Sequence, residues 1–154
     1  MCAILDANVV SEVFGNDRPA AGEQFLNWVT TGRGQLVVGG KLFRELVANN
    51  DGFRRWAQQA IAAGRLKRHN DTIVQRRTSV LERKSQLKSD DPHILALAQI
   101  SGARLLYSND KNLRSDFTNP RLVNNPRGKI YSTLRSKQFA KSHRSLLSRR
   151  DLCR

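Results

Sequence analysis

A chain of 154 residues is the size of one domain and long enough to bury a core; its 27 Lys and Arg against 13 Asp and Glu, net +14 with a pI near 11.0, suit it to polyanionic partners. The apolar runs fall far short of the ~20 residues of a membrane span, and Asp6 interrupts the first of them with no cationic segment before it, which argues against a secretion signal. Two cysteines, Cys2 and Cys153, make neither a disulfide framework nor a zinc spacing, so a reducing cytoplasm is the expected setting.

Residues 3–5 are a short apolar strand that runs straight into Asp6. From Asn8 the pattern turns helical, with Val9, Val10 and Val13 on one face. Pro19 opens a second helix, at the first helical position that proline favours, carrying Phe25, Leu26 and Val29 along one side until Gly32 and Gly34 break it. Residues 35–38 read as a buried strand, and Gly39 and Gly40 turn the chain into a helix with Leu42, Phe43, Leu46 and Val47 at core spacing. A further helix over 51–63 is ended by Gly64. Asp71 then caps a long polar helix predicted to reach about Leu87, with Ile73, Val74, Val80, Leu81 and Leu87 as a narrow apolar seam. Asp91 is a good N-cap, Pro92 fits the first helical position, and the apolar run HILALAQIS stops at Gly102. Residues 104–107 are a strand, Ser108, Asn109 and Asp110 leave its end, a short helix covers 111–116, and 129–132 make a last strand. Strands alternating with helices predict an α/β fold with a mostly parallel central sheet covered on both faces.

Basic residues concentrate in two stretches: 65–88 holds eight Lys or Arg against two acids, and 127–154 holds nine against one. The second has few large apolar residues and is expected to be a frayed or loosely helical tail, so residues 1–132 are assigned to the folded domain and 133–154 to a basic C-terminal tail. At least one of these stretches is expected to contact nucleic-acid phosphates.

Against this background the acids are scarce, and four stand at strand–helix junctions or just inside a helix: Asp6, Glu45, Asp91 and Asp110. In an open parallel sheet ligands bind at the carboxyl ends of the strands. Asp6 and Asp110 follow strands, Asp91 starts the helix that leads back to one, and Glu45 lies about a turn into the helix after the second strand, so all four can converge. Carboxylates are the ligands that Mg²⁺ and Mn²⁺ prefer. Plain structural readings stand beside this: Asp91 and Asp110 would each cap a helix in any protein, and Glu45 would be solvated on a polar face. Asp6 is the hardest to explain that way, because a carboxylate directly after an apolar strand is costly to bury without partners. His69, His93 and His143 have no ligand spacing and receive no metal role, while Trp28 and Trp56 lie on apolar helix faces and are assigned to the core.

Three segments, ILDANVVSEVF, KLFREL and DPHILALAQISGARLLYSNDKNLRSDF, resemble those of PIN-domain ribonucleases, closest to the VapC-like toxins of toxin–antitoxin pairs, over roughly residues 1–120. The long basic stretch before Asp91 and the basic tail depart from the compact toxins. The resemblance implies a PIN-like three-layer α/β/α fold and Mg²⁺- or Mn²⁺-dependent cleavage of RNA. It places the family's four acids on Asp6, Glu45, Asp91 and Asp110, a further acid on Asp116, and small polar supporting positions on Asn8, Ser11 and Ser108. Asp6, Asp91 and Asp110 would hold one or two hydrated ions, and Glu45 would bind a second ion or orient the attacking water. RNA, a small antitoxin protein and a second copy of the chain are the implied partners, with no membrane. Two alternatives keep the same fold: an RNA-processing nuclease without an antitoxin, and a non-catalytic RNA-binding protein.

Overall fold

The computed structural model describes residues 1–84 and 86–153. Five strands, β1 (Cys2–Leu5), β2 (Gln35–Gly39), β3 (Leu66–His69), β4 (Leu105–Tyr107) and β5 (Lys129–Tyr131), form one sheet in the order β3-β2-β1-β4-β5 with every neighbouring pair parallel. Eight α-helices flank it: α1 (Val10–Phe14), α2 (Ala20–Thr30), α3 (Gly40–Asn49), α4 (Asp51–Ala62), α5 (Asp71–Glu82), α6 (Pro92–Ser101), α7 (Lys111–Phe117) and α8 (Lys141–Leu147). The architecture is the three-layer α/β/α arrangement of PIN-like folds, as the alternation of strands and helices implied. A 3₁₀ turn, Ala7–Val9, lies between β1 and α1. No helix among the described residues is long and apolar enough to cross a membrane.

β1 is central and buried along its whole length, and so is β4 beside it. This is why both read as uninterrupted apolar runs. α6 is buried at every position from Pro92 to Ala98, the mark of a helix enclosed by its neighbours rather than lying on a surface. Gly102 ends it in the left-handed conformation, φ 77°. Gly40 also has a positive φ, 56°, where β2 turns directly into α3, and its N–H donates to Asp71 Oδ1 at 2.8 Å. Trp28 and Trp56 sit partly buried against the core, Trp28 beside Phe25 and Phe139 and Trp56 against Phe14 and Phe53.

Several expectations need correction. β3 lies inside the first basic stretch, where no strand was predicted: it is the edge strand, and an edge tolerates Lys67 and Arg68 because only part of its surface faces the core. α5 ends at Glu82 rather than near Leu87, and it is capped by Asn70, whose Oδ1 accepts from the N–H groups of Thr72 and Ile73. Asp71 instead accepts from Gly40 and pairs with Arg44 and Arg68. Val74, Thr78 and Leu81 form the buried stripe of α5 at i, i+4 and i+7, which leaves Ile73 and Val80 exposed at 52% and 41%.

The segment expected as a loose tail is packed. Phe139, His143, Leu146 and Leu147 are buried, Tyr131 meets Phe139 at 4.7 Å, and His143 Nε2 lies 2.8 Å from the carbonyl of Ile130. Cys2 and Cys153 form a disulfide, with their Cα atoms 5.8 Å apart. Separation by nearly the whole chain hid a pairing that the fold creates by returning its end to the start of β1. The expectation of a reducing compartment rested on there being no such pair, and it loses that support. Residue 154 of the tail and residue 85 of the expected long helix lie outside the described residues.

Asp116 fixes the approach to α6. It is buried, and its carboxylate accepts from the N–H of Lys88 at 2.9 Å and of Ser89 at 2.9 Å, which holds the strand of chain leading into Asp91. Removing it would strand two N–H groups. Asp116→Ala should therefore lower stability by roughly 2–3 kcal/mol in urea unfolding, in EDTA as much as in Mn²⁺. The disulfide closes a loop of nearly the full chain, for which loop entropy allows up to about 5 kcal/mol. Cys153→Ser, or the native protein in a reductant, should melt at a clearly lower temperature; equal melting points would show that the bond constrains nothing.

Candidate active site

The carboxyl edge of the sheet gathers the acids because all five strands point the same way. β1 and β4 pair with Ile4 opposite Leu106 and Leu5 opposite Tyr107, so the next residues along, Asp6 and Ser108, come out side by side. The Asp6 N–H continues the ladder to the Tyr107 carbonyl at 3.0 Å. Ser108 is fully buried and its hydroxyl donates to Asp6 Oδ2 at 2.7 Å, while accepting from the Asp110 N–H at 3.1 Å. One serine thus links two acids. Asp6 also accepts a long bond, 3.4 Å, from the N–H of Asn8, whose side chain is exposed, as is that of Ser11.

Burial pushes the Asp6 carboxyl up to about 6, against the stabilising bonds from Ser108 and Asn8 and with further upward pressure from the charges of Asp91 and Asp110. Asp91 is likewise raised, first by burial, with His93 opposing and Glu45 and Asp110 adding to the shift. Its side chain makes no capping hydrogen bond to α6, although it occupies the N-cap position. The plain reading of Asp91 as a helix cap therefore fails. Asp110 does cap: its Oδ1 accepts from the Leu113 N–H at 3.0 Å at the start of α7. Glu45, half-exposed on α3, lies 3.6 Å from Lys41 Nζ and 3.6 Å from His93 Nε2.

His93 has no role assigned from the sequence, yet its Nε2 lies 3.6 Å from Glu45 and the charge of Asp91 also acts on it. Burial lowers its pKa despite those two carboxylates, and its buried Nε2 has no hydrogen-bond partner among the described residues, the Glu45 contact being longer than a hydrogen bond. Its place directly after Asp91 and Pro92 was the available signal. A second missed group is a polar knot beside the acids. Glu12 on α1 accepts from the Thr133 hydroxyl in a short contact, and more weakly from Tyr107 Oη at 3.5 Å and Asn109 Nδ2 at 3.4 Å. Asn109 Oδ1 in turn accepts from the Ser132 hydroxyl at 2.7 Å and the Thr133 N–H at 3.2 Å. Tyr107 is pushed up to about 12, mainly by burial, with the Glu12 charge adding to it. The knot ties α1, the end of β4 and the turn after β5 into one frame around the Ser108–Asp110 segment.

Asp6, Asp91, Asp110 and Glu45 are therefore coupled through charge. Their oxygen donors are of the type Mg²⁺ and Mn²⁺ take, and burial, with a smaller push from the neighbouring acids, disfavours ionisation of Asp6 and Asp91. Among the described residues no three His, Cys, Asp or Glu side chains are drawn close enough together to hold a metal ion. Asp116, committed to the amides of Lys88 and Ser89, is placed as a support of the loop before Asp91.

No family model and no curated protein matches the sequence. A chain in the crystal structure of VapBC2 from Rickettsia felis bound to a DNA fragment from their promoter has a similar fold, with a TM-score of 0.51 and 15% identity over 86% of this chain and 98% of that one.

Proposed function

We propose that this chain is a divalent-metal-dependent endoribonuclease acting as the toxin of a toxin–antitoxin pair. The observation that carries the reading is Asp6: a buried carboxylate at the end of the central strand, reluctant to ionise, held by Ser108 and facing the charges of Asp91 and Asp110. An acid costs stability in such a place, and a cation shared with its neighbours offsets that cost. The fold shared with a chain of a VapBC2 complex supports the toxin–antitoxin setting, with a small antitoxin and a second copy of this chain as protein partners. The net charge of +14 supports RNA as the substrate.

Asp6, Asp91 and Asp110 would hold Mg²⁺ or Mn²⁺ once the ion draws their carboxylates closer than they stand here, and the bound ion would supply an activated water and neutralise charge on the phosphodiester. The remaining work belongs to the chain. Ser108 fixes the orientation of Asp6 and of the Asp110 backbone. Asp116 holds the segment that delivers Asp91. Glu45, 3.6 Å from both Lys41 Nζ and His93 Nε2, would orient a water or a second ion.

The direct test is cleavage of a mixed RNA pool by the purified protein in Mn²⁺, in EDTA, and as Asp6→Asn in Mn²⁺. Cleavage in the first condition alone is expected, with the variant reduced at least a hundredfold; cutting that survives EDTA or the substitution would overturn the proposal. Mn²⁺ should also raise the melting temperature of the native protein and leave Asp6→Asn nearly unmoved.

The pH dependence follows from the raised Asp6 pKa. Below about pH 4 the carboxyl is protonated in the folded and unfolded states alike and favours neither. Between about pH 4 and 6 the unfolded chain releases the proton that the metal-free folded state keeps, so stability is lost across that window by on the order of 2–3 kcal/mol, and above it the loss is complete. In EDTA, Asp6→Asn should be more stable than the native chain at pH 8, and the gap should close toward pH 4. Urea unfolding at the two pH values reads this, and equal stabilities at pH 8 would contradict it.

A further inference from the structure

We propose that the cleft between α7 and the turn after β5 seats a backbone phosphate of the RNA flanking the bond addressed by the acids. This rests on the ribonuclease reading above and adds the place where the strand is held. The cleft encloses about 310 Å³, and Lys111, Arg114 and Arg135 converge on it with the hydroxyls of Ser115, Ser132 and Ser136; no Asp or Glu lines it. None of the three cations pairs with a carboxylate among the described residues, whereas Arg18, Arg44, Arg54, Arg68 and Arg149 all do. Arg114 Nε is buried and has no hydrogen-bond partner among the described residues. Three cations without a carboxylate partner, a buried donor without an acceptor among the described residues, and the hydroxyls of Ser115 and Ser136 make an anion seat, and a guanidinium fork matches phosphate geometry.

The position of the cleft ties it to the acid edge. Lys111 follows Asp110 directly. On the opposite wall, Ser132 donates its hydroxyl to Asn109, the residue between Ser108 and Asp110, and its carbonyl accepts from the N–H groups of Arg135 and Ser136 at 3.2 and 2.8 Å. The turn that carries Arg135 is thus fastened to the segment that carries Asp110, so acids and cations keep a fixed spacing. An RNA strand leaving the acids past Lys111 meets this cleft first, and its backbone supplies the anion that the three cations lack.

The test measures affinity for a short single-stranded RNA by fluorescence anisotropy, in EDTA so that nothing is cut, across a range of salt. Lys111→Gln with Arg135→Gln removes two exposed cations and leaves the packing alone. Arg55→Gln with Arg83→Gln removes two exposed cations elsewhere and controls for net charge. The cleft pair should weaken binding at least fivefold at low salt and reduce the slope of log affinity against log salt by about 0.7, the value for one lost phosphate contact, while the control pair changes both much less. Arg114→Gln should weaken binding further. If the native protein binds RNA and the cleft pair binds it equally well, the cleft proposal is wrong and the nuclease reading stands. If the native protein neither binds nor cuts RNA, both fall together, as the native arm alone would show. Inorganic phosphate supplies the remaining arm: stabilisation of the native protein by phosphate that the cleft pair abolishes, with RNA affinity unchanged, would make the cleft a small-anion site and overturn the RNA assignment.

Discussion

The hydrogen bond between Ser108 and Asp6 is the contact on which the acid edge depends. β1 occupies the middle of the sheet, so the residue that ends it emerges between two strands and beneath helices, where a carboxylate loses most of its water. Parallel pairing of β1 with β4 supplies the shorter of the two bonds that compensate, because the register places Ser108 beside Asp6. A slip of one residue would turn Tyr107 or Asn109 toward the acid instead and send every β4 side chain to the opposite face. The same serine hydroxyl receives the Asp110 N–H, so two acids are placed by one oxygen.

The acids divide into two groups by what surrounds them. Asp116 has backbone N–H groups in front of it, and Asp71 has the Gly40 N–H with two arginines; both are satisfied by the fold. Asp6 and Asp91 are the reverse: their environments favour the neutral form, and the carboxylate of Asp91 leaves the amides of its own helix unused. Asn50, Asn70 and Asp110 cap their helices with side-chain oxygens, whereas the Asp91 carboxylate makes no such bond to α6. The Lys111–Arg114–Arg135 cleft adjoins this acidic edge, Lys111 following Asp110 directly along the chain.

Much of this was legible in the sequence where one physical signal dominated. β1, β2 and β4 are apolar runs bounded by turn residues, and α6 is an apolar run between proline and glycine, so their places could be read directly. β3 was hidden because LKRH has the composition of a solvated loop, and only its pairing with β2 makes it a strand. Phe139, Leu146 and Leu147 were too sparse to signal a helix, yet each finds a place beside Tyr131 or in the core. Ser108 could be picked out from its neighbours Asn109 and Asp110. Glu12 and Thr133 could not, since their contact joins positions 121 residues apart along the chain. Side-chain knots of this kind have no period and no spacing, and they become visible only once the strands are in register.

The bond between Cys2 and Cys153 gives the oxidised molecule an unusual response to force. In an ordinary parallel sheet whose first strand is central, pulling on the chain ends draws that strand out and shears its hydrogen bonds on both sides. Here a load applied beyond the two cysteines passes through sulfur, and the backbone between them carries no tension. An unfoldase that grips either end would meet a closed ring. It would have to translocate a doubled chain, or wait for reduction, before it could extract β1 and with it Asp6.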